Sequence, residues 1–131
     1  MMHHITDKAE HIYIALGVTD FRKQQNGLAS LIFLKFKLDP YSGECVFLFC
    51  NKKHNSLRAL RWDGNGFVLV TKFLSNEMKF QWPKTQGEVM AITTQQLEWL
   101  VAGLQIDQKK ALKERVETQN MIFNFCQNIV K

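Results

Sequence analysis

The chain has few of the residues that usually disclose a function. It carries three cysteines in 131 residues, Cys45, Cys50 and Cys126. An odd and small count does not make a disulfide framework, and free buried thiols are the ordinary state of such residues in a reducing compartment. Cys45 and Cys50 are five apart, so in one strand their side chains face opposite sides. With His54 they do not complete a zinc set, because no second CxxC or HxxxH pair is present. Neither a metal nor a cofactor is therefore expected. No segment approaches the roughly 18 uninterrupted apolar residues of a membrane span. The richest stretch, 28–38, is cut by Lys35 and Lys37. The opening Met1-Met2-His3-His4 has no apolar stretch of signal-peptide type. A cytoplasmic protein without a membrane partner is the expectation.

Catalytic patterns are missing as well. There is no GxSxG, HExxH or P-loop motif. The acids Asp20, Asp39, Asp63, Glu77 and Glu88 are scattered over turns and helix starts, where short acids are common anyway. No spacing supports a three-carboxylate nuclease. His3, His4, His11 and His54 fall in loops or at a strand edge, where a histidine is ordinarily a solvated side chain. The sequence thus predicts no catalytic residues and no enzyme.

What is present is an ordinary globular composition, 46% hydrophobic and 22% charged, with ten Phe and three Trp to fill a core. The length suits one domain, 1–131. Net charge is +5, which permits contact with nucleic acid without demanding it. The excess is placed unevenly. Lys52, Lys53, Arg58 and Arg61 follow one another with no acid before Asp63, while residues 91–131 hold five basic and four acidic side chains. The segment 52–61 is therefore the leading binding candidate, since Lys and Arg neutralise phosphates. Lys72 and Lys79 would extend it.

Along the chain, 1–10 mixes His and charges without periodicity and reads as a flexible lead-in. Residues 11–16 alternate as a half-buried strand. After Gly17, Thr19 or Asp20 is placed to cap a helix over 20–36, with Leu28, Leu31, Ile32 and Phe36 on its apolar face. Arg22 and Lys23 near that helix start are candidates for holding an anion with the helix end. Gly27 in the helix suggests close packing against the sheet. Leu38-Asp39-Pro40-Tyr41-Ser42-Gly43 is a turn. The continuous apolar run 45–50 reads as a central strand covered on both faces. Gly64-Asn65-Gly66 between 57–62 and 67–73 reads as a hairpin turn at the centre of the sheet. Trp62 and Phe67 flank it as core aromatics or as a stacking platform for a base. A last strand is expected over 78–82, ending at Pro83, and 84–88 as a linker. Thr93 with Gln96 reads as a capping box, followed by Leu97, Leu100, Val101 and Leu104 at helical spacing. A final helix is expected over 107–131, apolar enough to need a sheet or a partner, including a second copy. The sum is an α+β fold. Its antiparallel sheet has about five strands, with the core at 11–83, packed against the 20–36 helix and two C-terminal helices in 93–131.

Several blocks occur together in order. They are Ile14-Ala15-Leu16-Gly17-Val18-Thr19-Asp20-Phe21-Arg22-Lys23, Asn26-Gly27-Leu28-Ala29, Leu38-Asp39-Pro40-Tyr41-Ser42-Gly43, Val46-Phe47-Leu48-Phe49-Cys50-Asn51-Lys52-Lys53, Leu60-Arg61-Trp62-Asp63-Gly64-Asn65-Gly66-Phe67 and Phe80-Gln81-Trp82-Pro83. In these the chain, over about 11–104, resembles the accessory protein encoded by the second reading frame of the insertion-sequence-66 transposon family, the TnpB type. It departs from that pattern after Lys52-Lys53 and after Gly66-Phe67, where the family tends to carry further charged or aromatic residues. The resemblance implies a bacterial accessory protein of a transposable element, assisting transposition beside a separate transposase that carries the DNA recombination chemistry. It implies no catalytic residues. Joined to the basic segment, it leads to two expectations. One is a non-enzymatic factor that contacts DNA at the element ends through Arg22, Lys23, Lys52, Lys53, Arg58 and Arg61. The other is an adaptor that binds the transposase or itself, through 107–131 or around 62–67.

Overall fold

The computed structural model describes residues 2–108. In chain order the elements are α1 (Met2–Ile5), β1 (His11–Ala15), α2 (Gln25–Leu34), β2 (Cys45–Cys50), β3 (Ser56–Trp62), β4 (Phe67–Phe73), β5 (Val89–Ile92) and α3 (Thr94–Val101). The five strands form one sheet in the order β4-β3-β2-β1-β5. The fold is α+β, but the sheet is mixed. β1 runs parallel to β2, with His11 opposite Cys45 and Ile14 opposite Leu48; the other three pairings are antiparallel. This corrects the antiparallel expectation. Parallel neighbours need a crossover of a dozen or more residues, and α2 with its flanking loops supplies one between β1 and β2.

β2 is the centre of the sheet, as its unbroken apolar run predicts. Phe47 and Phe49 point to one face, Val46, Leu48 and Cys50 to the other, and all five are buried. Fully burying such a side chain stabilises the fold by about 1.5–3 kcal/mol. The first face is covered by α2 through Leu28 and Ile32, with Phe21 and Phe36 beside them. The second is covered by Ile5 of α1, by Phe80 and Trp82, and by Leu97 and Leu100 of α3. The hairpin lies at the edge of the sheet rather than at its centre, because among the described residues β4 has only β3 beside it. Its tip is closed by the Asp63 N–H donating to the Gly66 carbonyl at 2.7 Å, with Gly64 at φ +78°.

Four further expectations change. The 1–10 lead-in contains a short helix whose Ile5 enters the core. The 20–36 helix shortens to α2, whose N-cap is Gln24 rather than Thr19 or Asp20. Thr19 and Asp20 are otherwise engaged: the Thr19 N–H donates to the Cys50 carbonyl at 2.8 Å, and the Asp20 carboxylate accepts from the Arg22 N–H. Gly27 faces the Lys23 side chain, at 3.2 Å from where a Cβ would sit, not the sheet. Residues 78–82 form no strand. They pack on the sheet face through the buried Phe80 and Trp82, with Met78 exposed, and the Phe80 N–H donates to the His54 carbonyl at 2.6 Å. Alternation of period two is common to ladder strands and to such pinned segments, so it does not distinguish them. The fifth strand is instead Val89–Ile92, just past the expected linker.

α3 starts at the capping box as expected: the Gln96 N–H donates to Thr93 Oγ1 at 3.1 Å, and Gln96 Oε1 accepts from the Thr93 N–H at 2.9 Å. It closes at Gly103, φ +86°. Of the helix expected over 107–131, with Cys126 and the dimer contact, only Asp107 and Gln108 fall within the described residues. Among the described residues no helix is long and apolar enough to cross a membrane.

Trp82 Nε1 donates to the Ala15 carbonyl at 2.7 Å inside the core. Trp82→Phe keeps most of the apolar volume and strands that carbonyl, so urea unfolding should show a loss of about 1–3 kcal/mol. A loss below about 0.5 kcal/mol would mean that the bond is not formed. Burial pushes the Cys50 thiol up to about 12, whereas Cys45 is half-buried. At pH 8 native Cys50 should therefore resist alkylation and react only on unfolding, which peptide mapping after iodoacetamide treatment would show.

Candidate nucleic-acid interface

Parallel strands end at the same side of a sheet. The chain leaves β1 into the loop 16–24 and leaves β2 into the loop 51–55, so the two loops are neighbours. The Thr19 N–H bond to the Cys50 carbonyl ties them together. Loop 51–55 is shaped by Asn51, whose Oδ1 accepts from the N–H groups of Asn55 and Ser56, both at 3.1 Å. Its side-chain amide also donates to Asn55 Oδ1 at 2.7 Å. His54 takes a left-handed φ of +59° there. This holds Lys52 and Lys53 out at the tip, both exposed.

Lys52 and Lys53 line an open depression of about 880 Å³ together with Val18, Asp20, Arg22 and Phe73. A smaller one of about 220 Å³, lined by Lys23, Lys35 and Glu88, shares the wall 18–20 with it. The two depressions form a continuous arc around loop 16–24. Lys35, Lys23, Arg22, Lys52 and Lys53 stand along it. Lys35 was not among the expected contacts. In the sequence it only interrupts an apolar run, and its place is visible once α2 is known to end there.

Arg22 is not a free cation. Its guanidinium holds the Asp20 carboxylate through both oxygens, with Nη2 at 2.7 Å from Oδ2. The Arg22 hydrogen bonds depress the Asp20 carboxyl to about 2. Above pH 4 this pair is close to neutral as a unit. Its contribution is present above the ordinary carboxyl range and fades only as pH falls through about 2.

Arg58 and Arg61 are three apart in β3 and point to opposite faces. Arg58 Nη1 donates to the carbonyls of Phe21 at 2.8 Å and Lys23 at 3.0 Å, and its guanidinium carbon lies 4.4 Å from the centre of the Phe21 ring. It clamps loop 16–24 onto the sheet. Arg61 lies at the other end of β3. Its Nε donates to the Gly43 carbonyl at 2.9 Å and its Nη1 to those of Ile5 and Asp7. Both guanidinium groups are thus turned to backbone carbonyls of their own chain. The six expected residues divide accordingly. Arg22, Lys23, Lys52 and Lys53 gather at one end with Arg58 beneath them, and Arg61 stands apart. Of the two suggested extensions, Lys72 donates to the Val101 carbonyl at 2.7 Å and Lys79 is exposed.

Trp62 and Phe67 contact each other edge to face at 4.9 Å, and Tyr41 closes the group at 5.1 and 5.4 Å. The group sits at the hairpin end, away from the arc.

A family model described as "IS66 Orf2 like protein" matches residues 10–111. The chain belongs to this family. Membership associates it with insertion sequences and transposition. Among relatives, the uncharacterized protein y4jC of Sinorhizobium fredii is 37% identical over 93 residues, 71% of this chain and 78% of the relative. The uncharacterized protein y4hO of the same organism is 34% identical over 93 residues, 71% of this chain and 79% of its own. No solved structure matches the chain.

The division of labour among the cations is testable by stability. Arg58→Met leaves two carbonyls without their donor and should cost about 1–3 kcal/mol in chemical unfolding. Lys52→Ala with Lys53→Ala should stay within about 0.5 kcal/mol of the parent. Equal effects would contradict the assignment of Arg58 as a brace.

Proposed function

We propose that this protein is a non-enzymatic accessory factor of insertion-sequence transposition that holds DNA by its backbone, through Lys23, Lys35, Lys52 and Lys53 with the Arg22–Asp20 pair between them. The observation that carries this reading is the arc of exposed cations on two adjacent loops and the end of α2. Lysines act as hydrated point charges. They suit phosphate contact and lack the rigid fork with which arginine reads a guanine edge. Among the described residues, the arginines, which have such forks, are turned inward or paired. Binding is therefore electrostatic, and sequence selection belongs to the transposase.

A second reading, an adaptor that docks on the transposase, is favoured by Phe33 and Leu34. These neighbours on α2 are 63% and 64% exposed. Retention of transposase by the immobilised protein, lost in the Phe33→Ser, Leu34→Ser variant, would support it; retention by both would place that contact elsewhere.

Fluorescence anisotropy with an element-end duplex and a scrambled duplex, titrated in salt, tests the first reading. Four lysines on phosphates predict a log–log salt slope of about −4, similar for both duplexes. Lys52→Ala with Lys53→Ala should reduce its magnitude by about 2. Unchanged binding by that double variant would overturn the site.

A further inference from the structure

The free edge of the sheet has a construction of its own. β4 pairs with β3 on one side and, among the described residues, has no strand on the other. The bonds that frame the hairpin, Asp63 with Gly66 and Leu74 N–H with the Asn55 carbonyl, set which groups face out. In that register Val68, Val70 and Lys72 bond to β3, while the N–H and C=O groups of Phe67, Leu69, Thr71 and Phe73 point away from it. Exposed edges are usually blunted by an outward charge, a proline or a bulge. This one has none of these. Its single charge, Lys72, is folded back onto the Val101 carbonyl at 2.7 Å.

We propose that β4 is a self-association edge, pairing antiparallel with β4 of a second copy about a two-fold axis through Val70. The argument is self-complementarity. In that register Phe67 meets Phe73 of the other copy, Val68 meets Lys72, Leu69 meets Thr71, and Val70 meets its own counterpart. All four outward-facing residues of each strand find a partner. No two lysines are opposed, whereas the register centred on Lys72 itself would oppose them, and like charges across strands destabilise. The aromatic ends fit the same axis. Phe73 is 68% exposed, and it lies on the same sheet face as Phe67. The two-fold brings it to the Tyr41, Trp62 and Phe67 group, whose Tyr41 is 58% exposed. The result is one continuous ten-stranded sheet with an aromatic group closed at each side of the seam. This edge meets the lysine arc only at Phe73, which also lines the Lys52–Lys53 depression, and the proposal does not rest on the DNA reading.

Sedimentation velocity on the full chain over a concentration series tests it, with Thr71→Pro and Phe73→Asp as variants. Thr71 donates outward, so proline there removes an intermolecular bond and no β3 bond. Phe73→Asp changes an exposed side chain and decides the matter even if the proline variant misfolds. The expected result is a mass of two chains for the parent. Its dissociation constant should rise at least about tenfold in either variant that keeps the parental circular dichroism, a change of about 1.4 kcal/mol. Lys52→Ala with Lys53→Ala should leave the dimer intact, which separates this surface from the arc. A parent that stays at the mass of one chain overturns the proposal. So does a dimer that neither substitution weakens.

Discussion

The parallel pairing of β1 with β2 governs the rest of the molecule. Two parallel strands cannot be joined by a tight turn, so the chain must cross the sheet, and α2 is the crossing. That crossing covers the face of Phe47 and Phe49 and leaves α1, α3 and the Phe80–Trp82 segment to cover the other. It also decides where charge accumulates. Because both strands end at one side, the loops that follow them meet there, and each carries two basic residues. In an antiparallel pair the same residues would stand at opposite ends of the sheet.

The two arginines of β3 show how strongly context sets the use of a charge. Each is surrounded in sequence by basic or neutral neighbours, and each spends its donors on backbone carbonyls of distant segments, 37 and 56 residues away for the furthest-reaching bonds to Phe21 and Ile5. Loops rarely supply enough partners for their own carbonyls, and a long side chain rising from a rigid strand is an economical source of donors. One brace holds the cation-bearing loop to the sheet; the other holds the N-terminal turn and the turn before β2. The exposed lysines keep their charge for solvent or for a partner because the arginines have taken the structural work.

Much of this was legible in the chain. The unbroken run 45–50 gave the central strand, Gly64-Asn65-Gly66 the hairpin, and Thr93 with Gln96 the start of α3. The family blocks gave the association with transposition. The direction of β1 was not legible from its own residues, since His11 to Leu16 alternates like an edge strand although Ile12, Ile14 and Ala15 are buried against both faces. The length of the segment between β1 and β2 was the better signal. Val89–Ile92 escaped notice because four residues are too few to show a period, Met and Ala separate the two β-branched residues, and their place beside β1 is a long-range effect. Of the candidate site, the lysines of 52–53 and the pair Arg22–Lys23 could be named from composition. Strand period alone places Arg58 and Arg61 on opposite faces, but their carbonyl partners depend on the tertiary fold.

The central claim is that one end of the sheet, built by the parallel pair, is the DNA-facing end. Amide chemical-shift mapping by nuclear magnetic resonance on addition of a short duplex tests it most directly. The account predicts shifts concentrated at Lys23, Lys35, Lys52 and Lys53 and along 17–24, fading as salt is raised. Shifts confined to the hairpin tip around Arg61 and Asp63, at the opposite end, would contradict it.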